Sequence, residues 1–478
     1  MLSDIASGVF FGATLLTIAI GLTYFLACAG AGLLEMRAAA KAGPDSAAVA
    51  RRDPDQEWVY FLVPALNESL VIEQTVRALR RTPNSTIVVI DDGSDDGTGD
   101  IARQAGGDRV ILVRRTPPNA RQGKGEALNH GFEAVLADVA ARGLDPQLVF
   151  VCVMDADGRL SVNAWSYVLP LFDDPKVGGV QLAVKIRNPH KLITRVQDFE
   201  FWGLSAVSQF GRRRSRTVSL GGNGQFSRLR ALIDLSRDPW SQSLTEDLDL
   251  AITLLGAGWD LDSTTMAWVD QQGVTEYARL IKQRTRWFQG HMTAGKRLPE
   301  IWRNHRLSNT AVLEVTLYLA IPWIIVLPWS LLFHIGLAVS VTQVMADPNA
   351  IFGTSTMSHV LIGFVLYVAS FLPCLVSGYL YFRRERHYGF WRSLLLGHVL
   401  IVWNYVAFIA CWQALGRMLQ GRTGWDKTAR SAEDTAAEVP ASTDARATRP
   451  TRHPSLRGRA ARLGAALPPR TAEDSMRP

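Results

Sequence analysis

Acidic residues gather at three places where an apolar run gives way to polar chain. Asp91-Asp92-Gly93-Ser94 follows the run 86–90, Asp155-Ala156-Asp157 follows 148–154, and Thr245-Glu246-Asp247 opens a segment of helical spacing. Carboxylates at strand ends hold phosphates poorly by themselves, but they suit a divalent cation that bridges to phosphate oxygens. Asp92 also suits a hydrogen bond to a base or ribose. The competing reading for these acids is turn chemistry, which Asp-Gly serves well. For 245–247 it is acid placement at a helix N-terminus. Glu246, Asp247 and Asp249 together exceed what a helix dipole needs, and a carboxylate there can act as a general base. Further on, Gln283, Arg286 and Trp287 fall on one helical face. A guanidinium beside an indole suits a diphosphate and a flat sugar face; an interfacial helix reaching into headgroups uses the same residues. Gly222-Asn223-Gly224-Gln225 offers backbone that a ligand can approach closely, or simply a loop.

The surrounding pattern says what must position these groups. WVYFLVPA, TIVVI, RVILV and LVFVCVM read as buried strands. Between them, NESLVIEQTVRALRR (with Leu70, Ile72, Val76 and Leu79 in helical register), GTGDIARQA and KGEALNHGFEAVLADVAA read as helices. Alternation of this kind predicts an α/β domain with a mostly parallel sheet covered on both faces. Ligands in such domains bind beyond the carboxyl ends of the strands, where the acids fall. No G-x-G-x-x-G follows the first strand and no Walker lysine loop exists, so dinucleotide and NTPase readings fall.

The chain has 478 residues, is 47% hydrophobic and only 20% charged, with a net charge of +7. That composition excludes disorder throughout, and its apolar runs exclude a purely soluble enzyme. Residues 9–34 carry no Asp, Glu, Lys, Arg or His and exceed a bilayer's thickness, and three more apolar runs follow at 311–345, 360–382 and 393–416. The run at 9–34 is too long, and too poor in preceding Lys or Arg, for a cleaved signal peptide. Arg37, Lys41, Arg51 and Arg52 put the next region in the cytoplasm by the positive-inside rule. Four spans would then leave the tail outside, whereas Arg417, Arg422, Lys427 and Arg430 argue for inside. Pro322 and Pro328 allow a re-entrant second segment, and the last segment an interfacial one, so the sequence leaves this parity open. The expected domain plan is 1–52, a transmembrane helix and linker; 53–309, the α/β domain with interfacial helices at its end; 310–430, about three transmembrane or interfacial helices; and 431–478, a tail without hydrophobic period that is expected to be disordered. The basic residues flank apolar runs or lie in the tail, which fits an anionic membrane surface and not nucleic acid. The four cysteines have neither metal nor redox spacing.

In order along the chain, VPALNE, DDGS, GKGEALN, DAD, TED and QRTRW resemble the family-two, inverting, membrane-bound glycosyltransferases. The resemblance covers roughly residues 58–305. It implies a GT-A domain inserted between transmembrane helices, a nucleotide-diphosphate sugar as donor, and Mg²⁺ or Mn²⁺ as cofactor. By the same resemblance Glu68, Asp91 and Asp92 lie on the donor side, with Asp92 at the nucleobase and Lys124 near the phosphates. Asp155 and Asp157 would lie at the diphosphate, with Asp157 foremost on the metal. Asp247, beside Glu246, would deprotonate the acceptor hydroxyl. Gln283 and Arg286 would line the diphosphate, and Trp287, Asn223 and Gln225 the acceptor. The acceptor would be a membrane lipid or a growing glycan, and the protein a multi-pass one of the bacterial plasma membrane with a cytoplasmic catalytic domain. GGNGQFSR and LTEDLDLAITLLGAGWD resemble the β-glucosyl-diacylglycerol synthases more than the cellulose, chitin or hyaluronan synthases. QRTRW also typifies the processive enzymes, and residues 425–430 faintly resemble their gating segment.

Overall fold

The computed structural model describes residues 2–42, 57–162, 164–347, 349, 354–422 and 424. A long apolar helix, α1 (Leu2–Ala42), precedes the α/β domain. There β1 (Trp58–Ala65), β2 (Ser85–Asp91), β3 (Val110–Arg114) and β4 (Val149–Val153) form a parallel sheet. β7 (Gln225–Arg228) pairs antiparallel with both β4 and β6 (Val177–Ile186). β6 runs parallel to β8 (Asp260–Gln271), and the two-residue β5 (Arg159–Leu160) closes that edge antiparallel. The order across the sheet is β3-β2-β1-β4-β7-β6-β8-β5. The first half is the parallel alternation that the sequence predicts. The antiparallel β7 follows a loop rather than a helix and breaks the pattern beside the acids.

Side chains of β1 and β2 alternate between two buried layers, as a strand's period of two requires. Val59, Phe61, Ile87 and Val89 pack with α2 (Ile72–Leu79) and α3 (Thr98–Gly106). Tyr60, Leu62, Val88 and Ile90 pack on the other face with α4 (Lys124–Arg142). Each fully buried Val, Leu or Phe there contributes about 1.5–3 kcal/mol. Leu70 does not join its predicted helical stripe: it is 57% exposed, because α2 starts only at Ile72.

Between β6 and β7 lie α5 (Leu192–Asp198) and α6 (Ala206–Gly211), joined by a π-helical segment, Phe199–Ser205. α7 (Glu246–Ala257) and α8 (Tyr277–Ala294) flank β8. Then come α9 (Asn309–Ile321), α10 (Leu327–Ala346), α11 (Thr356–Arg384) and α12 (Phe390–Leu419). All four apolar runs of the sequence fall within these helices. Gly8–Ala38, Asn309–Ala346 and Phe390–Leu419 are each long and apolar enough to cross a membrane, and α11 makes a fourth if its two halves count as one span. Pro322 and Pro328 do not break the chain: a π-helical turn, Pro322–Val326, carries α9 into α10. The sharp bend, 56°, falls instead between Val368 and Ser370 of α11. Pro373 explains it, having no N–H for the carbonyl four residues back and a ring that clashes with that carbonyl. Residues 425–430 and the tail from 431 lie outside the described residues.

The domain sits directly on the apolar helices. Phe199 and Trp202 pack with Tyr381, Leu396 and Trp403, and Val207 packs with Ala29 and Leu380. α1 crosses α6 so closely that a Cβ on Gly211 would stand 2.2 Å from the Cys28 carbonyl oxygen. At the same junction Glu314 accepts from the Tyr24 hydroxyl at 2.8 Å and pairs with the buried Arg212 guanidinium at 2.6 Å.

Candidate active site

The carboxyl ends of β1, β2 and β4 lie side by side, with Ala65 opposite Asp91 and Leu62 opposite Val153. That register brings the DDGS and DAD segments to one rim. α4 begins at the same rim, and its first residue, Lys124, organises the centre. Its ammonium lies 2.8 Å from Asp155 Oδ1, 3.5 Å from Glu246 Oε1 and 3.0 Å from the carbonyl oxygen of Gly222. A Cβ on Gly222 would stand 2.6 Å from that ammonium and 3.4 Å from Asp247 Oδ2. Four predicted residues from three distant segments therefore meet: Lys124, Asp155, and the adjacent Glu246 and Asp247. Asn129 supports the arrangement, because its amide exchanges two hydrogen bonds with the Trp240 backbone (2.8 and 3.0 Å) and draws the chain leading to α7 against α4.

The electrostatics follow from crowding. Burial first, then the charge of Glu246, pushes the Asp247 carboxyl up to about 7 against the pull of Lys124. Burial would lower Lys124, but Asp155 and Glu246 more than offset it and hold the ammonium charged. A partly exposed carboxyl poised near neutrality is what a general base needs.

The DDGS acids lie deeper. Asp91 Oδ1 accepts from the Ser94 N–H at 2.9 Å, so this carboxylate does close its own turn. Asp92 forms a buried pair with Arg115 at 2.6 Å and accepts from the Arg121 N–H at 3.0 Å. Burial nevertheless raises its pKa against those two partners. Glu68 is buried and its carbonyl accepts from Val71 and Ile72, starting α2, while its N–H donates to Thr98 Oγ1. Asp157 is fully buried, with Oδ2 accepting from the Gln272 N–H at 2.9 Å. Asp155 is thus the DAD carboxylate that faces Lys124, and Asp157 anchors the strand end to the segment after β8. Among the described residues, no three His, Cys, Asp or Glu side chains gather as a metal cage.

The Gly222–Gln225 segment is held from behind. Gln181 accepts from the Gly221 N–H and donates to the Asn223 carbonyl, while Asn223 Oδ1 accepts from the Asp155 N–H at 3.2 Å. Gln225 is buried, and among the described residues its amide finds no hydrogen-bond partner. Gln283, Arg286 and Trp287 share a half-buried face of α8. Trp287 meets Phe201 edge-on at 6.0 Å and carries the Arg284 guanidinium over its ring at 4.5 Å. α8 reaches the centre at Gly290, where a Cβ would stand 2.5 Å from the Thr245 hydroxyl oxygen. Sequence reasoning missed Arg115, Gln181 and Arg284. Arg115 was traceable, since it lies two residues beyond the run RVILV, which reads as a parallel strand. Gln181 was not, because nothing local marks its strand as a neighbour of Gly221.

Residues 54–290 match the sequence profile described as Glycosyltransferase like family 2. They form a family 2 glycosyltransferase domain. This glycosyltransferase domain has the mostly parallel GT-A sheet with candidate spans on either side of it in sequence. Over 241 residues the chain is 31% identical to "Probable glycosyltransferase YdaM" of Bacillus subtilis (strain 168), covering 49% of this chain and 55% of that one. Over 249 residues it is 31% identical to a beta-monoglucosyldiacylglycerol synthase of Trichormus variabilis, covering 49% and 48%. It is also 28% identical over 244 residues to a poly-beta-1,6-N-acetyl-D-glucosamine synthase of Staphylococcus aureus (strain COL), covering 49% and 54%. The chain spans about half the length of the curated relatives it matches.

Proposed function

We propose that this glycosyltransferase moves a sugar from a nucleotide-diphosphate sugar, with UDP the expected nucleotide, onto the hydroxyl of a membrane lipid, with inversion. Its setting would be the bacterial plasma membrane, with the domain on the cytoplasmic side. The observation that carries the reading is the Asp247 carboxyl, held up to about 7 within the Lys124–Asp155–Glu246 cluster at the strand ends. The acceptor hydroxyl approaches Asp247 over the Gly222–Gln225 backbone and beside Trp287. Asp247 takes its proton as the oxygen bonds to the anomeric carbon, and the bond from that carbon to the diphosphate breaks on the opposite face. Lys124 and Arg286 neutralise the departing diphosphate, and Asp92 with Arg115 forms the nucleoside end. An α-linked donor gives a β-linked product.

Asp155 and Asp157, two carboxylates of one strand end, would hold a Mg²⁺ or Mn²⁺, hard cations that oxygen ligands suit. Such an ion supplies charge neutralisation to the diphosphate. Asp155 would exchange Lys124 for it, and Asp157 would turn from the Gln272 N–H.

The polar groups inside the apolar helices favour a lipid acceptor over a secreted polymer. His334 bonds Tyr405 at 3.0 Å, His398 bonds Tyr367 at 2.7 Å, and Trp412 donates to Ser330 at 2.9 Å. These groups satisfy one another, whereas a polysaccharide crossing a bilayer needs partners along its whole path. A processive synthase is the second reading, favoured by the poly-N-acetylglucosamine synthase likeness. The test is purified full chain with UDP-glucose and diacylglycerol. A solvent-extractable β-glucolipid, with acyl chains released by base, is expected. A polymer that resists saponification and forms without added lipid would overturn the acceptor assignment.

A further inference from the structure

A strip of chain outside the active site has no part in the chemistry above. It runs from Gly295 to Arg306 and ends three residues before α9 starts its apolar course at Asn309. With Gly256 at the end of α7 it lines an open groove of about 710 Å³. Lys296, Arg303, His305 and Arg306 all line it and are all exposed. The acid in the groove, Glu300, is already held by Arg297 through two contacts of 2.7 and 3.1 Å. Lys296 and Arg303 form no ion pair with any described residue. Beside them Trp302 stands 62% exposed, a large indole left in the open on a short helix whose Ile301 is buried. Basic side chains around a groove, an exposed indole and an adjoining membrane helix together make a surface suited to the headgroup layer.

We infer that this groove docks the phosphate headgroup of an anionic phospholipid, with Trp302 seated in the membrane interface beside it. Lys296 and Arg303 supply the charge and guanidinium donors match phosphate oxygens. The strip is also bonded to both ends of α7. Arg297 reaches Asp249 in the first turn at 2.7 Å, while Asn304 and Arg306 donate to the carbonyls of Gly256 and Ala257 at 2.7 and 2.9 Å. A headgroup in the groove therefore steadies the helix that carries Glu246 and Asp247. A soluble phosphate lacks the acyl chains that hold a lipid against Trp302 and α9, so the surface commits to lipid.

The test reads binding, not turnover, and so stands apart from the transferase assignment. Full-length protein in detergent is mixed with phosphatidylglycerol or phosphatidylcholine, and bound lipid is counted by native mass spectrometry. Wild type should prefer phosphatidylglycerol. At about fivefold per well-placed basic residue, Lys296→Gln with Arg303→Gln should weaken that preference by about 30-fold. Lys296→Arg with Arg303→Lys should keep it, and a matched loss of Arg383 and Arg386 at the end of α11 should leave it in place. Unchanged melting of the first double variant separates lost binding from lost folding; should it melt early, the charge-conserving pair and the matched control decide. No preference in wild type, equal loss in the matched control, or displacement of the lipid by inorganic phosphate at equal concentration would each overturn the inference.

Discussion

Glu246→Gln tests the electrostatic account of the site most directly. Asp247 Oδ2 and Glu246 Oε1 lie 3.4 and 3.9 Å from one point, the place a Cβ on Gly222 would take. The two charges are therefore at most about 7 Å apart, where unit charges interact by about 2 kcal/mol at an effective dielectric constant of about 20. At 1.36 kcal/mol per pH unit, loss of the Glu246 charge should lower the Asp247 pKa by about one to two units. Burial, the larger cause, stays. Transfer needs Asp247 ionised, so kcat/KM of wild type should fall as pH drops through about 7. In Glu246→Gln the acid limb should move down to between about 5 and 6. At pH 6 wild type then retains about a tenth of its plateau and the variant about half or more. Lys124→Met should move the limb upward, because the ammonium now holds the pKa down. Initial rates with labelled nucleotide sugar from pH 5 to 9 measure both. A limb that stays put in both variants, or moves the wrong way, refutes Asp247 as the titrating base.

Asp247→Asn should lower turnover by about 10²–10⁴-fold while nucleotide-sugar affinity stays within a few fold, read by single-turnover transfer and calorimetry. Asp157→Ala should abolish the gain in nucleotide-diphosphate affinity that Mn²⁺ gives wild type; an equal gain in both would remove Asp157 from the metal site. Glu314→Ala leaves the buried Arg212 guanidinium without its counter-charge, at a cost of about 3–5 kcal/mol, so the protein should melt well below wild type in detergent. Glu314→Gln, which can still accept hydrogen bonds, should melt between the two.

The half of the sheet that was legible in sequence is the half with local rules. β1 to β4 are continuous apolar runs because both faces are covered, and the helices between them keep helical spacing. Glu246 and Asp247, with Asp249, stood out because three acids in four residues exceed what a helix dipole uses, whereas Asp155 read equally well as turn chemistry. Lys124 became central only in three dimensions, since its significance lies in Gly222, Asp155 and Glu246 and not in its neighbours. β6, β7 and β8 pair across long connections, so no short window of sequence announces them. The same holds for the Arg212–Glu314 pair, whose partners sit 102 residues apart. The bend of α11 is in principle readable from Pro373, whereas Pro322 and Pro328 point to a break in the wrong segment. A π-turn absorbs those two, and nothing in their spacing says so.

The docking of α5, α6 and the π-segment on the apolar helices bears on how this protein can be handled. Phe199, Trp202 and Val207 belong to the domain by sequence, but their buried surroundings include Tyr381, Leu396, Trp403 and Ala29. The described chain up to Leu419 is accordingly part of one compact unit. Cutting out residues 53–309 would strip those side chains of their partners and leave an oily face on an otherwise water-soluble surface. The excised piece should therefore self-associate or demand detergent of its own, and the natural unit of purification is domain and helices together.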